Sequence, residues 1–347
     1  MIKYDPVYFE DIERVIRHIP NMDMLKGKDI LITGCTGMLC SPVADILLFL
    51  NSEYSFGINV KLAGRSEERV RDRFSYWEGK YEFVPYDATS PERLDASIHA
   101  DYIIHGASNA NPSIYTKEPV ETMLSNTTGL KVLLDHARDT GCKRLLYVSS
   151  SEVYGRKESS DPYPEDFYGY VDILNPRACY PNAKRMAETM CVAYSEEYGT
   201  DTVMVRPGHI YGPTITPSDS RATAQFTRNV ANGEDIVMKS MGTQLRSYCY
   251  ILDCASALLC VLLNGEKDNA YNISNPDSIV SIRDTAEALA KAGGVKVVFD
   301  VPTDTEKKGY NLMDNSSLTS DKLQSLGWSA EFSLDEGASR TVELFRL

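Results

Sequence analysis

The sequence predicts an α/β protein, a doubly wound parallel sheet followed by a smaller C-terminal lobe. Three observations carry this expectation. Short apolar runs of strand length alternate with helical stretches from Asp29 to Val205. The first run ends in Gly34-Cys35-Thr36-Gly37-Met38-Leu39-Cys40, a glycine-bearing turn that leads into an apolar helix. Beyond Arg206-Pro207-Gly208 the rhythm breaks into loops rich in Pro, Ser and Thr between Gly212 and Ser220, then into mixed short elements. The expected organisation is an N-terminal helical extension over 1–26, a sheet domain over 27–212 and a lobe over 213–347. Such a lobe closes over the carboxyl ends of the strands, where ligands bind in open α/β sheets.

The elements follow in order. Asp5-Pro6 reads as the N-cap and first position of a helix, with Tyr8, Ile12, Val15 and Ile19 on one stripe. Asp29–Thr33 is a buried strand, and an apolar helix runs from the glycine turn to about Leu50. Val60–Ala63, Tyr81–Val84 and Tyr102–His105 are the next three strands. A long helix spans about Val120 to Asp139, and Arg144–Val148 is strand five, ending at Ser149-Ser150-Ser151. A helix carrying Tyr180 precedes strand six, Thr202–Val205. No internal repeat or low-complexity tract interrupts this series.

Composition narrows the function. The chain has 347 residues, 43% apolar and 24% charged, with a net charge of −13. That excess of acid gives no electrostatic footprint for nucleic acid or anionic membranes. No run of apolar residues is long enough to span a bilayer, and Met1-Ile2-Lys3-Tyr4-Asp5 does not begin a secretory leader. The eight cysteines form no CxxC pair and no histidine completes a metal site, so no metal and a reducing, cytoplasmic setting are expected.

The glycine turn sits between a strand and a helix, the context a dinucleotide fingerprint requires, so the sheet domain reads as a Rossmann domain. Gly34 permits the tight turn and Gly37 lets backbone approach a pyrophosphate at the helix N-terminus. Cys40 stands where a third glycine serves close packing. NAD enzymes place an acid at the end of strand two, but here Ala63-Gly64-Arg65 offers none. Arg65 could pair with a 2′-phosphate, which leans toward NADP. Asp87 after strand three could contact the adenine end.

Tyr180 and Lys184 are one helical turn apart. An ammonium there favours the phenolate, so the tyrosine can act as a base well below its ordinary pKa of about 10. A serine hydroxyl brought alongside, as from the Ser149-Ser150-Ser151 run about thirty residues upstream, can hold the substrate oxygen whose proton moves. These are the parts for hydride transfer between a sugar hydroxyl and a nicotinamide.

Taken together, Gly34 and Gly37, Asp87, His105-Gly106-Ala107-Ser108, Asn126, the Ser149–Gly155 run, Tyr180 with Lys184, and Arg206-Pro207 resemble the extended short-chain dehydrogenases, the nucleotide-sugar epimerase/dehydratase group. Within it, Ala107–Pro112 with Tyr115, Ser151–Gly155, Cys179-Tyr180 with Lys184-Arg185, and Gly242–Tyr250 are similar to the UDP-glucuronate decarboxylases. Those enzymes have a third glycine at Cys40 and an acid at Gly64. The resemblance implies a nucleotide-diphosphate-sugar substrate, NAD as the reused cofactor (with NADP possible) and a homodimer. It implies that Ser150 holds the sugar O4, Tyr180 is the base, and Lys184 binds the nicotinamide ribose and lowers the Tyr180 pKa. Glu152 approaches C5. Thr36, Met38, Arg65 and Ala107 join Gly34, Gly37 and Asp87 at the cofactor. Ser108 and Ser151 face the substrate, Arg246 binds the diphosphate, and Arg221 lies near the nucleotide or a second subunit.

A ketone at C4 acidifies the C5 hydrogen and makes a C6 carboxylate a β-keto acid. One oxidised intermediate therefore serves decarboxylation, elimination or epimerisation. Glu152 favours chemistry at C5 and C6 over simple C4 inversion. The expected function is a UDP-glucuronate decarboxylase-like activity, with 4-epimerase, 4,6-dehydratase and NADPH-dependent keto-sugar reductase as alternatives. His105 and His209 read as core histidines. Leu130, Leu133 and Leu134 on the long helix, with Met186, Met190 and Ala193 on the Tyr180 helix, are expected to give apolar surface for dimerisation.

Overall fold

Parallel strands are buried on both faces and need continuous apolar runs; the sequence supplies these, and they assemble as expected. The computed structural model describes residues 4–300 and 314–346, so Met1 to Lys3, part of the segment read for a leader, lie outside it. Strands β1 (Asp29–Thr33), β2 (Asn59–Gly64), β3 (Glu82–Pro85), β4 (Tyr102–His105), β5 (Arg144–Val148) and β6 (Thr202–Pro207) form the sheet, with β7 (His209–Tyr211), β8 (Ile236–Met238), β9 (Leu245–Tyr250), β10 (Ala270–Ile273), β11 (Ile279–Ser281) and β12 (Val297–Phe299) following. The main sheet runs β10-β6-β5-β4-β1-β2-β3, and every pairing in it is parallel.

The helices are α1 (Pro6–Val15), α2 (Cys40–Tyr54), α3 (Glu67–Arg73), α4 (Pro112–Tyr115), α5 (Pro119–Thr140), α6 (Cys179–Tyr198), α7 (Ala222–Ala231), α8 (Ile251–Asn264), α9 (Ile282–Gly293), α10 (Asp321–Gln324) and α11 (Leu334–Arg346). Alternation along β1 builds two cores. Ile30 and Ile32 join α1, α2 and α8 on one face, while Leu31 joins α5 and α6 on the other. A third cluster, from α7, α9 and α11 with β8, holds the lobe together.

After β9 the chain returns to the main sheet. Helix α8 packs back on the sheet, and β10 adds a seventh strand beside β6 that the sequence reading did not anticipate. Asn272 hid it, because a central polar residue breaks the apolar run. Its amide is nonetheless satisfied inside, accepting from the Tyr154 hydroxyl at 2.5 Å and donating to the Tyr163 carbonyl at 3.0 Å.

The expectation for α5 needs correction. Leu130, Leu133 and Leu134 are fully buried against the sheet, because their i, i+3, i+4 spacing is the core stripe itself. The exposed apolar residues of α5 are Val120, Met123 and Leu124. On α6, Met186 and Ala193 are exposed as expected, while Met190 is only partly so.

The N-terminal helix is docked by polar as well as apolar contacts. Asp5 caps it, accepting from Val7 N at 2.9 Å, and Tyr8, Ile12 and Val15 are buried. Fully buried Asp45 on α2 accepts from the Tyr4 and Tyr8 hydroxyls, both at 2.8 Å, from Trp77 Nε1 at 3.1 Å and from the Arg73 guanidinium at 2.5 Å. On its other side, Arg14 pairs with Glu331 and Glu336, and Arg340 of α11 pairs with Asp11. Asp45→Asn leaves Arg73 buried without its counter-charge. The expected loss is about 3–5 kcal/mol of unfolding free energy in urea titrations. A loss below about 1 kcal/mol, the scale of an exposed pair, would show that this network does not hold the extension.

Candidate active site

The glycine turn after β1 is built on close backbone approach. Gly34 has φ +66°, and a Cβ there would lie 2.7 Å from the backbone of Gly106 and Ala107 after β4. A Cβ on Gly106 would in turn run into Cys40 Sγ. The cysteine at the third fingerprint position thus fits because the chain opposite it is glycine. The Gly37 amide closes the turn onto Gly34 O at 2.8 Å.

These residues floor a groove of about 230 Å³ along the strand ends, lined by Gly34, Thr36 and Gly37, by Gly64 and Arg65, by Asp87 and Thr89, and by Ala107 and Ser108. Of the expected cofactor residues, Gly34, Thr36, Gly37, Arg65, Asp87 and Ala107 therefore share one surface. Met38 lies beneath, covered by the loop after β7: Thr214 donates to Met38 O at 3.1 Å and the Arg221 guanidinium reaches Met38 Sδ at 2.7 Å. Arg221 is held there by Asp219, its ion-pair partner at 2.5 Å. The cradle fits a dinucleotide pyrophosphate, and the Ser108 hydroxyl beside it is buried without a hydrogen-bond partner among the described residues.

Tyr180 lies in the first turn of α6, nearly buried, with Lys184 one turn on. Burial pushes the phenol well above its ordinary pKa, the Glu152 charge adds to this, and the adjacent Ser150 hydroxyl opposes it. The Lys184 ammonium donates to Val148 O at 2.7 Å and stands 5.7 Å from the Tyr180 ring centroid. Burial lowers Lys184 to about 7. Burial thus outweighs the expected lowering of Tyr180 and moves both groups toward their neutral forms.

Ser150 caps a 3-10 turn at Ser151–Tyr154, its hydroxyl accepting from Glu152 N at 3.2 Å. This turn aims Glu152 into the cleft, where its carboxyl approaches the Tyr115 hydroxyl at 3.4 Å. Glu152 is exposed as a residue, yet the protein crowding its carboxyl costs it solvation and raises its pKa, against the pull of the Arg177 charge and of Tyr115. The Tyr115 ring stacks on Tyr180, centroids 5.2 Å apart and planes 7° from parallel. A continuous set, Ser150, Tyr180, Tyr115, Glu152, is thereby formed from three elements.

Arg246 on β9 is 5% exposed, so it is no surface cation, and burial lowers its pKa. His209 on β7 senses both Arg246 and Arg221; burial first, then those charges, depress it to about 3, and its Nδ1 is buried without a partner among the described residues. His105 behaves as expected of a core histidine, with Nδ1 2.7 Å from Thr33 Oγ1. Beneath the site, Arg206 pairs with Glu188 at 2.6 Å and donates to the Tyr154 hydroxyl at 3.0 Å, tying the serine turn to α6 and β6.

Sequence reasoning quoted Tyr115 as part of the resemblance but gave it no role, read His209 as a core histidine, and passed over Arg177. Arg177 carried a signal, its position three residues before Tyr180; the stacking of Tyr115 on Tyr180 carried none that was local.

The NAD-dependent epimerase/dehydratase family model matches residues 30–274, most of the chain. The protein belongs to this family. Among curated relatives, UDP-glucuronic acid decarboxylase 1 of Xenopus tropicalis is 31% identical over 335 residues, covering 94% of this chain and 75% of that one. UDP-glucuronic acid decarboxylase 5 of Arabidopsis thaliana is 31% identical over 323 residues, covering 92% and 89%. Among solved structures, the UDP-glucose 4-epimerase of Thermotoga maritima with UDP-glucose superposes with a TM-score of 0.75 at 24% identity, covering 92% of this chain and 98% of that one. The dTDP-glucose 4,6-dehydratase of Bacillus anthracis in complex with NAD gives 0.72 at 17%, covering 92% and 96%. The family member described here is an NAD-dependent nucleotide-sugar enzyme, and its expected fold and cofactor stand.

Replacing Tyr180 by Phe keeps the ring stack on Tyr115 and removes only the hydroxyl. Turnover is expected to fall by about 10²–10⁴-fold, the range for a positioned acid–base group, with the thermal midpoint unchanged. Turnover within a few-fold of the parent removes Tyr180 from the chemistry.

Proposed function

We propose that the protein converts UDP-glucuronate to a UDP-pentose and CO2 through transient oxidation at C4. The observation that carries this reading is Glu152, a carboxyl of raised pKa set against the Tyr115–Tyr180 stack. A plain 4-epimerase needs no such group. The substrate class is supported by the curated relatives named above.

NAD, held by the groove residues Gly34, Thr36, Gly37 and Ala107, would supply the reversible acceptor for the C4 hydride. The chain's own residues do the rest. Ser150 orients O4, and Tyr180 takes and later restores its proton. Oxidation leaves a ketone β to the C6 carboxylate, so CO2 departs with its electrons passing into a C4–C5 enolate. That enolate needs one proton at C5. A carboxyl whose surroundings shift it toward the protonated form supplies it, which is the role of Glu152. Arg246 meets the diphosphate, with Ser108 and Ser151 toward the sugar. The lobe of α7, α9 and α11 closes the nucleotide end. Among the described residues no helix is long and apolar enough to cross a membrane. A cytoplasmic setting agrees with eight cysteines that are all free.

UDP-glucuronate with the purified protein, and no added oxidant, is expected to give CO2 and a UDP-pentose by product NMR. Glu152→Gln is expected to slow the steps after oxidation more than oxidation itself, so the near-ultraviolet band of reduced nicotinamide builds up. Clean C4 inversion with all carbons kept would falsify the decarboxylase reading and leave a 4-epimerase.

The exposed apolar residues Val120, Met123 and Leu124 on α5, with Met186 and Val192 on α6, support a C2 homodimer built on these two helices. Sedimentation at micromolar concentration is expected to give a dimer, and Met186→Glu a monomer. A monomeric parent rules the assembly out.

A further inference from the structure

The adenosine end of the groove departs from what an NAD-selective site requires. Selectivity for NAD rests on a carboxylate at the end of the second strand, which accepts from the ribose hydroxyls and repels a 2′-phosphate. In this chain that position is Gly64, at the end of β2, with no side chain to do either. Its neighbour Arg65 is exposed and lines the same groove. The carboxylate lining this groove is Asp87, beyond β3, and it is already engaged. Its Oδ1 accepts from Thr89 N at 2.9 Å and from Thr89 Oγ1 at 2.7 Å. Burial pushes Asp87 up, but those bonds and the Arg65 charge outweigh it and hold the carboxyl below its usual pKa.

We propose that Arg65 receives a 2′-phosphate at this end of the groove, so that the protein binds 2′-phosphorylated dinucleotide with an affinity comparable to that for NAD. A guanidinium fork matches phosphate oxygens with charge-assisted bonds. The uncharged 2′-hydroxyl of NAD gains nothing from it and finds no acid at Gly64. The two dinucleotides are thus brought close in affinity from both directions. This rests on the groove alone and stands whichever sugar reaction the site performs.

The test is calorimetric binding of NAD and of NADP to protein freed of co-purified dinucleotide. The two dissociation constants are expected to lie within about tenfold. Arg65→Ala is expected to weaken NADP by about 10- to 100-fold, the range for a bond to a charged group, and to change NAD by less than about threefold, since no charged bond is lost there. Gly64→Asp restores the acid at a position with room for it, because a Cβ there meets only Val70 Cγ2, at 3.7 Å. It is expected to shift the ratio toward NAD by about 30-fold or more. A parent preference for NAD beyond about 100-fold, an interval wider than one charged bond supplies, overturns the proposal. So does an Arg65→Ala variant that weakens both ligands equally. If Gly64→Asp fails to fold, the parent and Arg65→Ala measurements decide alone. Failure here leaves the product assay on UDP-glucuronate untouched, so the two readings are separable.

Discussion

Everything at the carboxyl edge of the sheet depends on a contact without side chains. The turn after β1 approaches the backbone of the turn after β4 so closely that Gly34 has no room for a Cβ, while Gly106 leaves its space to Cys40 Sγ. That approach puts residues of both turns on the floor of one groove. It also explains why a cysteine can stand where a third glycine would pack helix on strand. The space Cys40 needs is ceded by Gly106, so the mutual fit has moved from one chain segment to the other.

The same edge places the reacting groups where charge is disfavoured. Tyr180 and Glu152 have raised pKa values and Lys184 a lowered one, each chiefly through burial. All three are thereby moved toward their neutral forms. A neutral carboxyl is a proton donor and a neutral phenol is a donor to a returning alkoxide. The cleft is therefore prepared for the later half of a redox cycle, when protons are delivered. For the earlier half, a positive charge near the phenol is required, and the fixed cations Arg177 and Arg221 already act on Glu152 and Tyr180 in that sense.

The sequence was most readable where structure follows from local pattern. The bounds of β1, β4 and β5 coincide with their apolar runs, because strands covered on both faces show no alternation to confuse. Tyr180 with Lys184 was visible as a helical repeat, and Asp5-Pro6 as a cap. What could not be read is non-local. Tyr115 reaches Glu152 across 37 positions, and the Arg206 contact with the Tyr154 hydroxyl spans 52. Strand β10 was hidden by Asn272, whose polarity is cancelled only by partners far away in the chain. The leucines of α5 were misassigned for the opposite reason: their stripe is legible, but which neighbour it faces is set by the sheet.

Helix α1 is gripped from two directions, by Asp45 of α2 and by the acidic and basic residues around α11. The contact of Arg14 with Glu336 spans 322 positions, almost the full run of the chain. Such pairings must close almost the whole chain, a cost that grows only slowly with length but has to be met before the contact rewards it. The first helix can settle on α2 early through Tyr4 and Tyr8, but its second side stays open until α11 is in place. During synthesis the sheet therefore assembles with one edge of its covering layer unsealed. The step that seals it joins the two most distant parts of the molecule, and so acts as the closing check on a correctly folded chain.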